Sequence, residues 1–389
     1  MSDYDHPPSA KRKLLFYLIV FGCVWLVVDA SCFFILRHIE KTHTLFYRFD
    51  LPTEAQVAQY YETRYHPEWG WDIDRSAKGV LGQRQHRDIE IKPRYYIKTF
   101  GNSFTYCTNV DDDETWQAYI EDNSPWDCLN FGTPGFGTDQ AILKYEGSTV
   151  KSMYTILGIQ DENISRCMTS NWLFYQKKFA PKPYFEVQND TLHLTYPPQG
   201  LEALQMFASM DYVQAIARDD YWASYHKEKN FPDRNIWPSS ITLIKHADFF
   251  VNTALIQIRS KLSRSFDTIK ATVKTYHLYD SDSEGLLLMR HIVDRFVATA
   301  ESRDEIPIIV FFPMKKTFSI HQNTGRRTYE SLFTYVTGCG IHAIDLSEVL
   351  QSESASDVYM WDGHFSPHAN EMTARVIVRF IRDLELSQE

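Results

Sequence analysis

The stretch from Tyr95 to Thr105 limits the fold of this chain more than any other. Its first six residues, Tyr95 to Phe100, favour β-structure and end at a glycine that is followed by Asn102 and Ser103. Such a run ending in Gly predicts a strand that leaves a sheet through a tight turn. Because ligands bind at the carboxyl edge of open α/β sheets, we expect Ser103 to lie in a cleft.

A serine at such an edge is inert unless a base removes its proton. The far end of the chain offers a base and a carboxylate in the stretch Trp361 to Pro367, which contains Asp362 and His364. The two-residue spacing allows both side chains to face one way on an extended loop, where side chains alternate. The sequence therefore predicts Ser103 as nucleophile, His364 as general base and Asp362 as the group that orients the imidazole.

Two glycine- and amide-containing stretches lie between these pieces, at 130–140 and 156–163. Taken in order, the four blocks resemble the SGNH/GDSL hydrolase superfamily over roughly residues 65 to 380, with Asn102 in place of the usual Asp of the first block. The Asp-x-His spacing is similar to that of alginate O-acetyltransferases of this superfamily. The resemblance implies an SGNH-type three-layer α/β sandwich with a parallel central sheet, and a Ser-His-Asp triad that forms an acyl-enzyme.

Acyl transfer also needs hydrogen-bond donors aimed at the oxyanion. The resemblance implies that the backbone N–H groups of Ser103 and Gly135 are two of them. The usual third block, Gly-x-Asn-Asp, reads Gly-Ile-Gln-Asp here, so Gln160 holds the family position. Asn163, three residues further on, is the better chemical match. Both remain candidates, and we favour Asn163.

The remaining pattern predicts an α/β domain over residues 65–384. Apolar runs predict strands at Trp126–Asn130, Met153–Gly158, Pro307–Phe312 and Ile341–Leu346. Amphipathic runs predict helices at Leu286–Thr299 and Pro367–Leu384. Strands that alternate with helices indicate a parallel sheet. Residues 199–265 have helical periodicity and many aromatic residues but match no motif, and we interpret them as a lid-like insertion.

An apolar run of about 23 residues, 14–36, follows the basic residues at 11–13 and is long enough to span a bilayer. Basic residues before the span predict a cytoplasmic tail, 1–13, with a stalk at 37–64 and a catalytic domain that is periplasmic or extracellular. A cleaved signal peptide is the alternative. Asp29 and the apolar residues that resume after Cys32 argue against cleavage, so a single-pass anchor is preferred.

Asp29 lies inside this apolar run. A carboxylate in lipid costs roughly 2.5–3.5 kcal/mol on insertion scales, so such residues usually face a partner. One interpretation is an integral-membrane partner protein that contacts Asp29. The other is a protonated or water-accessible Asp that an otherwise apolar segment tolerates.

Charge and cysteine content argue against several other classes of protein. The net charge of −10 leaves no electrostatic footprint for nucleic acid. None of the six cysteines forms a CxxC pair, so neither a zinc site nor a thioredoxin-like motif is supported. Cys107 and Cys128 could form a bridge in an oxidising compartment, but free buried thiols are preferred. The triad requires no metal and no cofactor.

Together these features predict a membrane-anchored extracytoplasmic serine esterase or O-acyltransferase. The resemblance points to acyl groups, above all acetyl, on a polysaccharide or envelope glycan. Hydrolase and transferase share one acyl-enzyme and differ in whether water or a sugar hydroxyl attacks it. The competing hypothesis is an accessory protein that keeps the fold for glycan binding or for scaffolding a membrane complex.

Overall fold

The computed structural model of the protein describes residues 9–42, 50–85, 87–229, 237–262, 265–270, 273 and 275–387. Parts of the predicted tail, stalk and lid-like insertion lie outside these ranges. The chain forms two compact units. The helical unit comprises 1–48 and 224–258, and the sheet unit comprises 49–223 and 259–389. The chain thus passes between the units after residues 48, 223 and 258.

The sheet unit is built on a central parallel sheet. The strands are β1 (Tyr65–His66), β2 (Gly70–Trp71), β3 (Tyr95–Phe100), β4 (Cys128–Asn130), β5 (Ser152–Gln160), β6 (Tyr184–Gln188), β7 (Thr191–Thr195), β8 (Ile306–Phe312) and β9 (His342–Asp345). Five of them pair in the order β4-β3-β5-β8-β9, with every neighbouring pair parallel. The remaining four form two antiparallel hairpins. The predicted α/β class with a parallel central sheet is confirmed.

The direction in which strands are added to the sheet reverses beside β3. The chain continues from β3 to β4 on one side of it, and the next strand, β5, lies on the other side of β3. Ligands of open α/β sheets bind at such a switch point. The sheet edge is unusually tight there. A Cβ on Gly101 would lie 2.1 Å from Thr105 Oγ1, and one on Gly158 would lie 2.2 Å from the same atom. Two glycines, one directly after β3 and one in the neighbouring strand β5, therefore make room for the turn that follows β3.

Helices cover both faces of the sheet. In chain order they are α1 (Ala10–Thr42), α2 (Glu54–Thr63), α3 (Ser103–Tyr106), α4 (Trp116–Asn123), α5 (Thr138–Gly147), α6 (Asn163–Cys167), α7 (Trp172–Gln176), α8 (Leu201–Gln205), α9 (Met210–Ile216), α10 (Tyr221–Lys229), α11 (Ser239–Lys245), α12 (Ala247–Leu262), α13 (Phe266–Lys270), α14 (Glu284–Ser302), α15 (Lys315–Thr324), α16 (Glu330–Gly338), α17 (Leu346–Val349), α18 (Ala355–Val358) and α19 (Pro367–Leu386). Short 3₁₀ turns occur at Arg75–Ala77, Asp112–Glu114, Met206–Ala208 and Tyr276–Tyr279.

The helices and the sheet form three layers. On one face, α4 and α19 pack side chains such as Trp116 and Ile377 against Ile97, Ile156 and Ile308 of the sheet. On the other face, α5 and α14 contact β3 and β8 respectively, and also contact each other. Each sheet face is largely apolar and must be covered, so this sandwich follows from the burial pattern of the strands. Two buried free thiols, Cys107 and Cys128, also line the first layer.

Part of the predicted stalk belongs to the sheet unit. Helix α2 begins at a Thr53 capping box and buries Val57 completely. The hydroxyl of Tyr60 donates to the carbonyl of Gly70 at 2.8 Å, which attaches α2 to the β1–β2 hairpin. Residues 54–63 are thus packed structure, because their apolar face has a partner.

The helical unit is organised along α1, which contains the predicted span 14–36. Within the described residues, α1 is the one helix long and apolar enough to cross a membrane. Helix α11 lies beside it. The Asp29 carboxylate accepts hydrogen bonds from the Ser240 backbone N–H at 2.7 Å and from the Ser240 hydroxyl at 2.8 Å. The partner found for Asp29 is therefore in the same chain, and an integral-membrane partner protein stays a prediction.

Candidate active site

The turn after β3 presents Ser103 as the first residue of α3. Strand β3 ends at Phe100, and Asn102 caps α3 because its Oδ1 accepts from the Phe104 backbone N–H at 2.9 Å. Ser103 is 7% exposed. Ser103 thus lies at the carboxyl end of a central strand, the position that the sequence predicts.

Asn102 brings both candidate amides together. Its Nδ2 donates to Gln160 Oε1 at 3.0 Å and to Asn163 Oδ1 at 2.6 Å. Because Phe104 N–H already occupies Asn102 Oδ1, the Nδ2 group must face acceptors, and this fixes the orientation of the neighbouring amides. Asn163 therefore turns its oxygen towards Asn102 and leaves its own NH₂ group free.

The NH₂ group of Asn163 is fully buried and has no hydrogen-bond partner in the described part of the chain. Gln160 Nε2 likewise forms no hydrogen bond with a described residue, but it is not fully buried. A buried donor without a partner costs about 1–3 kcal/mol, so such a group is normally explained by strain, function or a missing partner. Of the two third-block candidates, Asn163 thus carries the unpaired donor that is fully buried.

Asp362 and His364 form a hydrogen-bonded pair in the loop between α18 and α19. Asp362 Oδ2 lies 2.6 Å from His364 Nδ1, and the His364 backbone N–H donates to Asp362 Oδ1 at 3.2 Å. The backbone is not the expected extended segment: Gly363 has φ +90° and its N–H donates to Met360 O at 3.1 Å. A tight turn through Gly363, not strand-like alternation, places both side chains on one side.

Asn109, which the sequence did not single out, contacts the same oxygen of Asp362 as His364 does. Asn109 Nδ2 donates to Asp362 Oδ2 from the loop after α3. Partial burial opposes ionisation of Asp362, but the hydrogen bonds from His364 and Asn109 outweigh it and keep the pKa of Asp362 below its usual value. The carboxylate is thus stabilised as an anion, which is the state that orients an imidazole.

The imidazole lies beside the element that carries Ser103. The rings of His364 and Phe104 are 5.3 Å apart between centroids, and Phe104 directly follows Ser103. Ser103 Oγ, however, forms no hydrogen bond with His364 or with any other residue that the structure describes. In enzymes without substrate, such contacts are often long and tighten in the complex.

The loop that contains Gly135 is attached to the same turn. The Thr133 backbone N–H donates to Gly101 O at 3.0 Å. Gly135 has φ +86°, and a Cβ there would lie 3.2 Å from the Trp172 ring. The structure shows no hydrogen bond from the Gly135 N–H to a described residue, whereas the Gly132 N–H donates to Asn130 Oδ1 at 2.9 Å. Gly135 therefore keeps an available backbone donor.

Two buried cations hold these loops, and sequence reasoning missed both. The Arg84 guanidinium donates to the carbonyls of Tyr106, Cys107 and Val110 at 2.6, 2.7 and 2.9 Å. Lys144 Nζ contacts Asp72 Oδ1 at 2.7 Å and Thr133 Oγ1 at 2.9 Å. Their partners are distant in sequence, so no local pattern reveals them. No group of three or more candidate metal-ligating side chains occurs in the described ranges.

Comparison with known proteins finds no family model and no curated protein that matches the sequence. Among solved structures, the chain is similar to a protein from Desulfitobacterium hafniense DCB-2 that is described as lipolytic and of the G-D-S-L family. The two are 12% identical, the alignment covers 74% of this chain and 99% of that one, and the TM-score is 0.34.

Proposed function

We propose that the protein is an SGNH-type serine acyl-transfer enzyme, an esterase or O-acyltransferase, with Ser103, His364 and Asp362 as its triad. The observation that supports this most is the hydrogen-bonded Asp362–His364 pair, which Asn109 ties to the loop that follows Ser103. An imidazole held by a carboxylate beside a serine at a sheet switch point suits nucleophilic catalysis.

In this proposal the reaction begins when Ser103 Oγ attacks the ester carbonyl carbon. The proton of Oγ moves to His364 Nε2, while Asp362 accepts the hydrogen bond from Nδ1–H and stabilises the imidazolium. Collapse of the tetrahedral intermediate breaks the bond to the leaving alkoxide, which takes the proton from Nε2. Water or a sugar hydroxyl then attacks the acyl-serine by the same route and regenerates Ser103.

The oxyanion would be stabilised by the backbone N–H groups of Ser103 and Gly135 and by Nδ2 of Asn163. Two features support this choice: the buried unpartnered NH₂ of Asn163 and the available N–H of Gly135. Donors fixed before the reaction need no reorganisation when charge develops, and each is worth about 10²–10³ in rate.

For the setting we propose that α1 anchors the enzyme in a membrane, with residues 1–13 in the cytoplasm and the sheet unit on the opposite side. The substrate would be an acyl ester, above all an acetyl ester, of a polysaccharide or envelope glycan, as the Asp-x-His resemblance suggests. A reporter that is active only outside the cytoplasm, fused after Glu389, should be active. An inactive fusion, with a cytoplasmic reporter active in its place, would refute this orientation.

The enzymatic proposal is tested by turnover of an aryl acetate. Ser103→Ala should abolish turnover without changing the melting temperature, whereas Ser352→Ala, at an exposed serine, should leave turnover unchanged. Unchanged turnover in Ser103→Ala would remove the proposal. Acetylated glycans supplied with and without an acceptor sugar then separate the two reactions: product on the acceptor indicates a transferase, and free acetate alone indicates a hydrolase.

One observation favours a second candidate, a non-catalytic accessory protein that binds glycan or scaffolds a membrane complex. This observation is the missing hydrogen bond between Ser103 Oγ and His364. Such a protein would bind an acetylated glycan but show no turnover in the wild type. Glycan binding measured together with turnover therefore distinguishes the two candidates.

A further inference from the structure

The helical unit has an inverted distribution of polar and apolar side chains. On α11, Ser239, Ser240 and Thr242 are buried, at 5%, 8% and 2% exposure. Ile241 and Ile244 on the same helix are 53% and 76% exposed. In a water-soluble protein the polar residues of a helix face solvent. A helix that buries its polar side chains and exposes its apolar ones indicates apolar surroundings, where polar groups must find partners inside the protein.

The hydrogen bonds between Ser240 and Asp29 set the level of α11 along α1. Asp29 precedes Leu36, the last residue of the apolar run, by seven residues, which corresponds to roughly 10 Å at 1.5 Å per residue. The ring of Trp237, just before α11, packs edge-on against Trp25, one turn deeper, at 5.6 Å. The first turn of α11 therefore lies beside the apolar part of α1.

Helix α12 continues this surface at the end of the apolar run. Phe249 and Phe250 at its start pack with Leu36. Val251, Leu255 and Ile258, spaced as one stripe of a helix, are 55%, 40% and 53% exposed. An apolar stripe that no described element covers, on a helix that starts beside the end of a membrane span, is typical of an interfacial helix.

The charges of the segment fall where a bilayer tolerates them. Lys245 and Asp248 are exposed and lie at the junction of α11 and α12. Phe249, the next residue, packs with Leu36, so this junction is level with the end of the apolar run. At that level, charged side chains reach the headgroup layer, whereas the uncharged Ile241 and Ile244 lie on the helix that runs beside the span.

We propose that residues 237–258 form a second membrane-inserted segment whose outward apolar side chains contact lipid acyl chains. The segment enters the leaflet that contains the C-terminal part of the apolar run of α1, and it does not cross the bilayer. Asp29 is the residue in α1 that holds it, through Ser240. This inference rests on the membrane anchoring by α1 proposed above, and it assigns to this segment a membrane role in place of a lid over the active site.

The test uses the full-length protein in phosphatidylcholine vesicles. An environment-sensitive fluorescent amino acid is introduced singly at Ile244, at Val27 in α1, or at Val80 in the sheet unit. These side chains are 76%, 67% and 78% exposed, so the label should not disturb the packing, and Val80 is a matched apolar control. Quenching is measured with phosphatidylcholine that carries bromine at defined positions of its acyl chains.

We expect strong quenching at Val27 and Ile244 and none at Val80. If Val27 is quenched and Ile244 behaves as Val80, the anchor stands and this inference is wrong. If neither Val27 nor Ile244 is quenched, the anchor itself is wrong and the inference falls with it. The vesicles contain no other protein, so a segment that requires a protein partner would also leave Ile244 unquenched.

A label at Val251 should be quenched most by bromine near the headgroups, and no quenching there would contradict the position of α12.

Discussion

Asn102 determines which atoms of its two amide neighbours remain free. Its Oδ1 accepts from Phe104 N–H, so its Nδ2 faces the side-chain oxygens of Gln160 and Asn163. A carboxylate at this position, as in the Gly-Asp-Ser block of the superfamily that the sequence resembles, would need N–H donors from the same neighbours. The amide at position 102 thus turns the oxygen of Asn163 towards itself, whereas a carboxylate would turn the NH₂ group of Asn163 towards itself.

Asn163→Ala should lower kcat by about 10²–10³, or about 2.7–4 kcal/mol of barrier, with little change in KM. The reason is that the oxyanion forms only along the reaction, so its donor contributes to the transition state and not to substrate binding. Gln160→Ala should cost much less. Steady-state kinetics on an aryl acetate measures both. A large loss in Gln160→Ala with Asn163→Ala near wild type would mean that family position, not the free donor, identifies the residue.

Asn102→Asp should lower kcat by rotating the Asn163 amide. A carboxylate attracts the NH₂ group of Asn163, so the amide turns over and its oxygen takes the place of Nδ2, and we expect a loss approaching the ~10²–10³ of one donor. Because both substitutions remove the same interaction, Asn102→Asp combined with Asn163→Ala should be no slower than Asn163→Ala alone. Additive losses in this double-mutant cycle would contradict the proposed orientation.

The loops after β3 and before α19 act as one assembly. Asn109 donates across to Asp362, and Arg84 fixes the backbone between Tyr106 and Val110. Asn109 has φ +68°, a conformation that Asn adopts more readily than most residues, which explains its presence in this loop. The position of Asp362 thus depends on an element that begins at Ser103.

Asn109→Gly should lower kcat by up to about 10² with KM unchanged, because Asp362 loses the contact that keeps it against the imidazole. Glycine tolerates the backbone conformation, so the loop should persist. Asn189→Gly is the matched control, since Asn189 has φ +50° in the β6–β7 turn. Equal kinetics in Asn109→Gly and Asn189→Gly would show that Asn109 has no positioning role.

The sequence predicts elements well where the pattern is local. Strand β8 (Ile306–Phe312) and helix α19 (Pro367–Leu386) match the predicted Pro307–Phe312 and Pro367–Leu384 within two residues. Strand β5 extends to Gln160, two residues past its prediction, because Ile159 and Gln160 pair with Phe311 and Phe312 of β8. Strand pairing is a long-range contact that local periodicity does not contain.

For the site, the motif blocks predict which residues come together at the sheet edge but not how they are held. The expected extended loop at Asp362 is instead a turn through Gly363. Asn109, Arg84 and Lys144 were missed because each acts through partners that are remote in sequence. The free NH₂ of Asn163 likewise follows from a three-residue hydrogen-bond network, which no spacing rule predicts.

At the scale of the whole molecule, the sheet unit buries a carboxyl group at a cost in stability. Asp161 Oδ1 accepts from Met314 N–H at 3.2 Å, but Oδ2 is buried without a partner in the described part of the chain. Burial raises the pKa of Asp161 to about 7. The folded state therefore prefers the neutral acid, and the unfolded state ionises near pH 3.8.

Stability should consequently fall as pH rises from about 4 to about 7, by at most about 1.4 kcal/mol per pH unit. The contribution of Asp161 is fully present below its unfolded pKa and is lost as pH approaches its folded pKa. Asp161→Asn should remove this slope and be more stable than wild type at pH 8. Denaturant unfolding in detergent, with Asp211→Asn as an exposed control, measures the effect. An Asp161→Asn variant less stable than wild type at pH 8 would contradict it.

Covalent labelling shows whether Ser103 is a nucleophile that His364 activates. The folded full-length protein is treated with a fluorophosphonate, which reacts with activated serines, and the adduct is located by peptide mass spectrometry. We expect one adduct, on Ser103, that is lost in Ser103→Ala and forms much more slowly in His364→Ala. Absence of any adduct, or an adduct on another serine with Ser103 unmodified, would contradict it.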